Sequence, residues 1–189
     1  VEEYFALGYV ADPRCIYATA YKLPAAHTLT LRRGQPAKQA KSYWDVHFTL
    51  DNQINADDAL AELQSRLEES IRLRMIADVP LGAFLSGGVD SSAVVAMMAG
   101  ISKTPVRTCA IGFQDPKFNE SDFAKMVADR YQTEHHLDVV DSDDFDLIDQ
   151  LAWLYDEPYA DSSALPTYRV CQLARRHVTV ALSGDGGDE

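Results

Sequence analysis

Val79-Pro80-Leu81-Gly82-Ala83-Phe84-Leu85-Ser86-Gly87-Gly88-Val89-Asp90-Ser91-Ser92 is the stretch on which the reading of this chain turns. Val79 to Leu85 is a near-continuous apolar run, as expected of a strand buried on both faces, and Ala93 to Met98 is helical in composition. A strand that passes through a glycine-rich turn into a helix aims unpaired backbone N–H groups and the positive end of the helix dipole at an anion. Gly87 and Gly88 allow positive φ and let the main chain approach phosphate oxygens. Ser86, Ser91 and Ser92 add hydroxyl donors, and Asp90 adds a carboxylate that can hold a charge-offsetting cation. An ordinary strand-to-helix turn needs less, since Gly-Gly and one Ser or Asp cap would serve. The Gly-Lys-Ser or Gly-Lys-Thr phosphate loop occurs nowhere in the chain, which weighs against kinase or GTPase chemistry at a γ-phosphate.

Outward from this stretch the elements alternate. Upstream, Leu60, Leu63, Leu67 and Ile71 repeat at helical spacing, predicting a helix from about Ala56 to Ala77. Downstream, strand-like runs at Val106 to Phe113, Leu137 to Val140 and Val178 to Leu182 are separated by helical runs. Those helices are expected at Asp122 to Tyr131, Leu147 to Tyr155 and Ala164 to Ala174. Buried strands separated by helices predict an α/β fold, a parallel sheet with helices on both faces and ligands beyond the carboxyl ends of the strands. The last strand runs directly into Ser183-Gly184-Asp185-Gly186-Gly187-Asp188-Glu189, a second glycine-rich loop that presents three further carboxylates. Alone it reads better as a solvated acidic turn, and only together with the first loop does it point to a ligand. If both loops serve one triphosphate, their strands must be neighbours, with the strand ending at Leu85 between Val106–Phe113 and Val178–Leu182.

Ser86 to Ser92 resembles the pyrophosphate loop (PP-loop) of the ATP pyrophosphatases, whose fold is of the adenine nucleotide alpha hydrolase kind. With Ser183 to Glu189, and with Asp156-Glu157-Pro158-Tyr159-Ala160-Asp161-Ser162-Ser163-Ala164-Leu165-Pro166-Thr167-Tyr168 between them, the chain resembles the glutamine-hydrolysing asparagine synthetases. Tyr43-Trp44-Asp45-Val46, Gly8-Tyr9-Val10 and Lys22-Leu23-Pro24 look like the end of that family's glutaminase domain. The resemblance therefore implies a remnant of an N-terminal-nucleophile glutaminase over residues 1–50 and the first part of an ATP-binding synthetase domain over 51–189. Asp185 stands where asparagine synthetases usually carry glutamate, which places the chain nearer the related amidotransferases of bacterial exopolysaccharide and protein-sorting clusters.

The resemblance also implies roles. Ser86, Gly87, Gly88, Ser91 and Ser92 would bind the β and γ phosphates of ATP, and Asp90 and Asp188 would hold Mg2+. Leu85, Ile111, Ser183 and Gly184 would contact adenosine, although Leu85 and Ile111 read equally well as core. Asp185 would sit near the activated carbonyl and position ammonia. Asp161, Ser162 and Ser163 read as a helix cap rather than substrate contacts. The implied reaction adenylylates a substrate carboxylate, aspartate or a related acid, releases pyrophosphate and forms an amide with ammonia from the glutaminase. That glutaminase needs an N-terminal cysteine; residue 1 is Val and Cys15 is preceded by fourteen residues, so this stretch is expected not to hydrolyse glutamine. The rival readings are a non-catalytic nucleotide-binding or scaffold module and another PP-loop enzyme.

Composition bounds these expectations. With 47% hydrophobic residues the 189-residue chain supports one or two packed domains, although the β-like runs Cys15–Ala18 and Thr28–Leu31 belong to a segment too short to close a core alone. A net charge of -12, from 29 Asp and Glu against 17 Lys and Arg, is the wrong sign for tracking nucleic acid. Cys15, Cys109 and Cys171 lack the spacing of a zinc site or disulfide framework, so they are expected to be reduced in a cytoplasmic protein. No apolar run reaches bilayer length, and no membrane partner is expected. Unpaired strand edges near both ends predict self-association into a homo-oligomer.

Overall fold

A computed structural model describes residues 2–49, 54–117, 119–140 and 147–187. In chain order its elements are α1 (Glu2–Leu7), β1 (His27–Thr28), β2 (Lys41–Ser42), α2 (Ala56–Arg74), β3 (Leu81–Phe84), α3 (Val89–Ile101), β4 (Arg107–Phe113), α4 (Ser121–Tyr131), β5 (Glu134–Val140), α5 (Ile148–Leu154), α6 (Ala164–Ala174) and β6 (Val180–Leu182). They fall into two compact units, Val1–Gln53 with Ile148–Asp161, and Ile54–Leu147 with Ser162–Glu189.

In the first unit β1 and β2 pair antiparallel over two residues each, and Arg14 bridges Tyr21. The expected run Cys15–Ala18 is a loop: the Cys15 thiol lies 3.4 Å from both the Tyr17 amide and the Ala20 carbonyl, and these local bonds take the place of a ladder. The expected run Thr28–Leu31 keeps only Thr28 in a strand. The helix α1 was not expected, because six residues are too few to show a period. No described residue of this unit is fully buried. Phe5, Phe48 and Trp153 are more than four-fifths exposed.

The second unit holds a four-stranded parallel sheet in the order β5-β4-β3-β6. As the two-loop reasoning required, β3 is central, with Ala83 registered against Thr108 of β4 and Leu182 of β6. The period-two alternation of side chains divides the core between the two faces. Ala83, Leu85 and Ala110 join Ile71 of α2, Val94, Val95 and Met98 of α3, and Ala124 and Ala128 of α4. Cys109, with Phe84 and Ala181, packs on the other face against Val170, Leu173 and Ala174 of α6 and against Val178.

The helix α2 starts where Asn55 Oδ1 accepts from Asp58 N at 2.9 Å, and Glu62–Arg66 and Glu68–Arg72 pair at i,i+4. It stops at Arg74, three residues before the expected end. Of its predicted stripe, Ile71 is buried and Leu67 packs on the core, but Leu60 and Leu63 are about 60% exposed. The core reaches only the C-terminal turns of this helix. In contrast, α3 begins at Val89, four residues earlier than its composition indicated, because Gly88 in extended conformation acts as the N-cap residue.

Candidate functional site

The carboxyl ends of β3, β4 and β6 open into one cavity of about 600 Å³ within the second unit. Its polar wall comes from the two glycine-rich loops. Ser91, buried at the start of α3, accepts from Ser86 N at 3.3 Å, donates to the Gly88 carbonyl at 3.2 Å and lies 3.0 Å from Ser86 Oγ. These bonds hold the turn open as a cradle. Gly88 N donates to Ser86 Oγ and Ser92 N to the Gly88 carbonyl, closing the first helical bond of α3. The first-turn amides of Val89, Asp90 and Ser91 have no intrahelical acceptor and no side chain caps this helix, which leaves a terminus of the kind that suits an anion.

Gly87 adopts φ +91, and a Cβ there would stand 2.6 Å from Phe123 Cβ, so the turn folds tightly onto the start of α4. Because β6 lies beside β3, the second loop reaches the same helix start. A Cβ on Gly184 would stand 2.6 Å from Ser91 N, and one on Gly187 would stand 2.5 Å from Asp90 Cγ. The Asp90 carboxylate is thus enclosed between the two loops. In the second loop Asp185 N donates to Ser183 Oγ at 3.0 Å, and Gly187 N to the Gly184 carbonyl at 3.2 Å.

The apolar wall is built on the α6 side of the sheet. Cys109, Ile111 and Phe113 share that face at period two, with Phe84 beside them and Pro166, Thr167 and Val170 of α6 opposite. Burial, and secondarily the Glu134 charge, pushes the Cys109 thiol up to about 11, so this wall carries a neutral sulfur.

Of the residues singled out in the sequence, Leu85, Ser86, Gly88, Asp90, Ser91, Ile111, Ser183, Gly184 and Asp185 line the cavity. Gly87 and Ser92 support it from behind, one through its turn and the other through its backbone bond. The Leu85 side chain, 1% exposed, belongs to the core on the α3 face, which leaves main chain as its contribution to a ligand. Asp188 lies outside the described residues. Ser163 is the N-cap residue of α6, but its backbone is helical, φ -73 and ψ -12, and its side chain makes no capping bond. Sequence reading missed Phe84, Cys109, Phe113, Glu120, Pro166, Thr167 and Val170. Counting two residues either way from Ile111 would have found Cys109 and Phe113; the α6 residues carry no such signal.

Among the described residues that line the cavity there is no lysine or arginine, while Asp90, Glu120 and Asp185 are carboxylates. A polyanionic ligand here must rely on backbone N–H groups, the α3 dipole and a divalent cation. The uncapped helix terminus, the glycine cradle and an enclosed Asp90 suit a nucleotide triphosphate with such an ion. Among the described residues no group of three or more His, Cys, Asp or Glu could hold a metal ion by itself. The cysteines Cys15, Cys109 and Cys171 are all free. No helix among the described residues is long and apolar enough to cross a membrane.

Residues 62–189 match the asparagine synthase family model. Over its full length the chain is 40% identical to the putative asparagine synthetase [glutamine-hydrolyzing] 2 of Methanocaldococcus jannaschii, covering 37% of that protein. It is 32% identical, again over its full length, to asparagine synthetase [glutamine-hydrolyzing] 1 of Bacillus subtilis, covering 30% of that one. The chain thus spans about a third of these curated relatives. A weaker likeness joins it to the NH3-dependent NAD synthetase of Campylobacter jejuni, with TM-score 0.41, 15% identity and coverage of 64% of this chain and 54% of that one.

Proposed function

The chain belongs to the asparagine synthase family, and on that premise we propose that the whole protein is an ATP-dependent amidotransferase of the glutamine-hydrolysing kind. It adenylylates a substrate carboxylate, aspartate or a related acid, and converts the acyl-adenylate to an amide with ammonia released from glutamine. One observation carries the reading: two glycine-rich loops on adjacent parallel strands close around Asp90 at an uncapped helix terminus, beside an apolar slot.

In this mechanism the first-turn amides of Val89, Asp90 and Ser91 and the Ser86 hydroxyl hold the β and γ phosphates, while Ser91 and Ser92 shape the cradle through the bonds they make to Ser86 and Gly88. The slot lined by Phe84, Cys109, Ile111 and Val170 takes the adenine, with main chain at Leu85, Ser183 and Gly184 beside the adenosine. Asp90 and Asp188 hold Mg2+, which when bound neutralises charge on the departing pyrophosphate. A substrate carboxylate oxygen attacks the α-phosphorus and the bond to pyrophosphate breaks. Backbone N–H groups already aimed at that leaving group stabilise its growing charge without reorganising. Ammonia then attacks the acyl carbon and AMP departs, with the Asp185 carboxylate accepting a hydrogen bond from the incoming nitrogen and orienting it. Residues 1–50 are the end of the glutaminase domain, and the protein acts in the cytoplasm.

The test is ATP–pyrophosphate exchange by the whole protein. Asp90→Asn keeps the side chain's size and removes its charge, so exchange should fall about 100-fold or more. Wild-type exchange in that variant would overturn the metal role. A whole protein that binds ATP but never exchanges pyrophosphate would instead be a nucleotide-sensing module.

A further inference from the structure

Among the described residues that line the cavity, Glu120 is the one carboxylate to which the mechanism gives no part. Its place follows from the residues on either side of it. Asn119 Oδ1 accepts from Ser121 N at 3.1 Å, and both residues lie against β4: a Cβ on Gly112 would stand 3.1 Å from that oxygen and 3.4 Å from Ser121 Cβ. One turn further on, the Glu120 carbonyl accepts from Phe123 N at 3.0 Å and from Ala124 N at 3.2 Å. Those two residues meet the first glycine-rich loop, where a Cβ on Gly87 would stand 2.6 Å from Phe123 Cβ and 2.7 Å from Ala124 N. The start of α4 is thus pinned to β4 on one side and to the phosphate loop on the other, with Glu120 between them. The Glu120 side chain makes no capping bond to the amides of α4, and the residue is exposed, which leaves its two acceptor oxygens open to a ligand.

Chemistry narrows which part of a nucleotide this carboxylate can take. The triphosphate carries like charge and would be repelled by it, and no lysine or arginine among the lining residues offsets that repulsion. The adenine, on the reading above, lies in the apolar slot of Phe84, Cys109, Ile111 and Val170. The ribose joins the two, is uncharged, and carries two neighbouring hydroxyls that can both donate to one carboxylate. Glu120 lies along the same path, between the loop Ser86 to Gly88 and Phe113, the last residue of β4.

We propose that Glu120 is a specificity-determining residue for the sugar of the nucleotide: its carboxylate accepts from the ribose hydroxyls and so favours the intact diol over deoxy sugars. This deepens the ATP reading above and rests on it. The amides of the first loop read phosphates, which ribo- and deoxyribonucleotides share, so they cannot tell the two apart. A hydrogen bond to an ionised carboxylate can, by about 10- to 100-fold in affinity.

The experiment is titration calorimetry on the whole protein with Mg2+, comparing ATP, 2′-deoxy-ATP, 2′,3′-dideoxy-ATP and purine riboside triphosphate in wild type, Glu120→Ala and Glu120→Gln. The wild type should bind ATP about 10- to 100-fold more tightly than the dideoxy nucleotide, with 2′-deoxy-ATP between them. Glu120→Ala should weaken ATP by about that factor and leave the dideoxy nucleotide within about twofold, so that the ratio approaches one. Glu120→Gln keeps one acceptor oxygen without the charge and should give an intermediate ratio. Because Glu120 is exposed, both variants should unfold within a few degrees of the wild-type Tm. A wild type that binds ATP and dideoxy-ATP alike would overturn the proposal, as would a wild-type ratio in Glu120→Ala. Equal loss of every nucleotide in that variant would assign Glu120 to the metal or to the fold, and loss confined to nucleotides bearing the adenine amine would assign it to the base; either result overturns the sugar role. Since the readout is affinity, a protein that binds ATP but never exchanges pyrophosphate defeats the amide-forming reading alone, and one that binds no adenine nucleotide defeats both.

Discussion

Gly184→Ala adds one methyl group where the second loop meets the start of α3. The new Cβ would stand 2.6 Å from Ser91 N, 2.9 Å from the Asp90 carbonyl carbon and 3.0 Å from Ser91 Cα. All three are backbone atoms in the first turn of α3, so no side-chain rotation relieves the clash. The nearest contact is about 0.8 Å short of ordinary van der Waals distance, and either the second loop or the first turn of α3 must shift by that much. Overpacking of this kind costs about 1 to 3 kcal/mol. If the loop moves away from Asp90, the cost falls on ligand binding, a loss of about 5- to 150-fold in affinity for ATP with Mg2+. Titration calorimetry on the whole protein measures it, with Gly100→Ala as the control. Gly100 sits near the end of α3 with nothing within 4 Å of its would-be Cβ, so alanine there should leave affinity unchanged. It should also stabilise the helix by about 1 kcal/mol, read as a higher Tm. ATP affinity within twofold of wild type in Gly184→Ala, with Tm also unmoved, would refute the claim that the two loops close on each other.

Three further outcomes follow from the same geometry. Gly87→Ala combines a backbone at φ +91 with a contact at 2.6 Å to Phe123 Cβ, so it should lower stability by about 2 kcal/mol or more in chemical denaturation. Cys109 titrates at about 11 in the folded protein against 9.0 ordinarily, so the unfolded chain releases that proton first. Stability should therefore be full below pH 9 and decline between pH 9 and 11, and Cys109→Ala should flatten that decline in pH-dependent unfolding. Val170→Phe should narrow the apolar slot and raise KM for ATP about tenfold while leaving Tm within a few degrees, since Val170 is only partly buried.

Much of the second unit is legible in the sequence. Glycine-rich turns after apolar runs are local signals, and the constraint that two loops share one ligand names the neighbours of β3 correctly. Element ends are less legible. Gly88 lengthens α3 at its start, while α2 ends short of Ala77 and leaves Leu60 and Leu63 exposed, because no core residue reaches its first turns. In the first unit strand-like composition misleads, since Cys15 to Ala18 has no partner strand and closes on itself through sulfur and backbone bonds.

For the site, sequence alone determined the chemistry of the first glycine-rich loop, the proposed phosphate cradle: which residues are small, which donate and which carry charge, all within seven consecutive positions. Only the tertiary structure decided what faces them. The meeting of Gly187 with Asp90 and the apolar slot completed by Pro166, Thr167 and Val170 both join residues far apart in the chain. Such contacts leave no local pattern, because they depend on which strands lie side by side and on which face a helix settles, and those are set by packing of the whole unit.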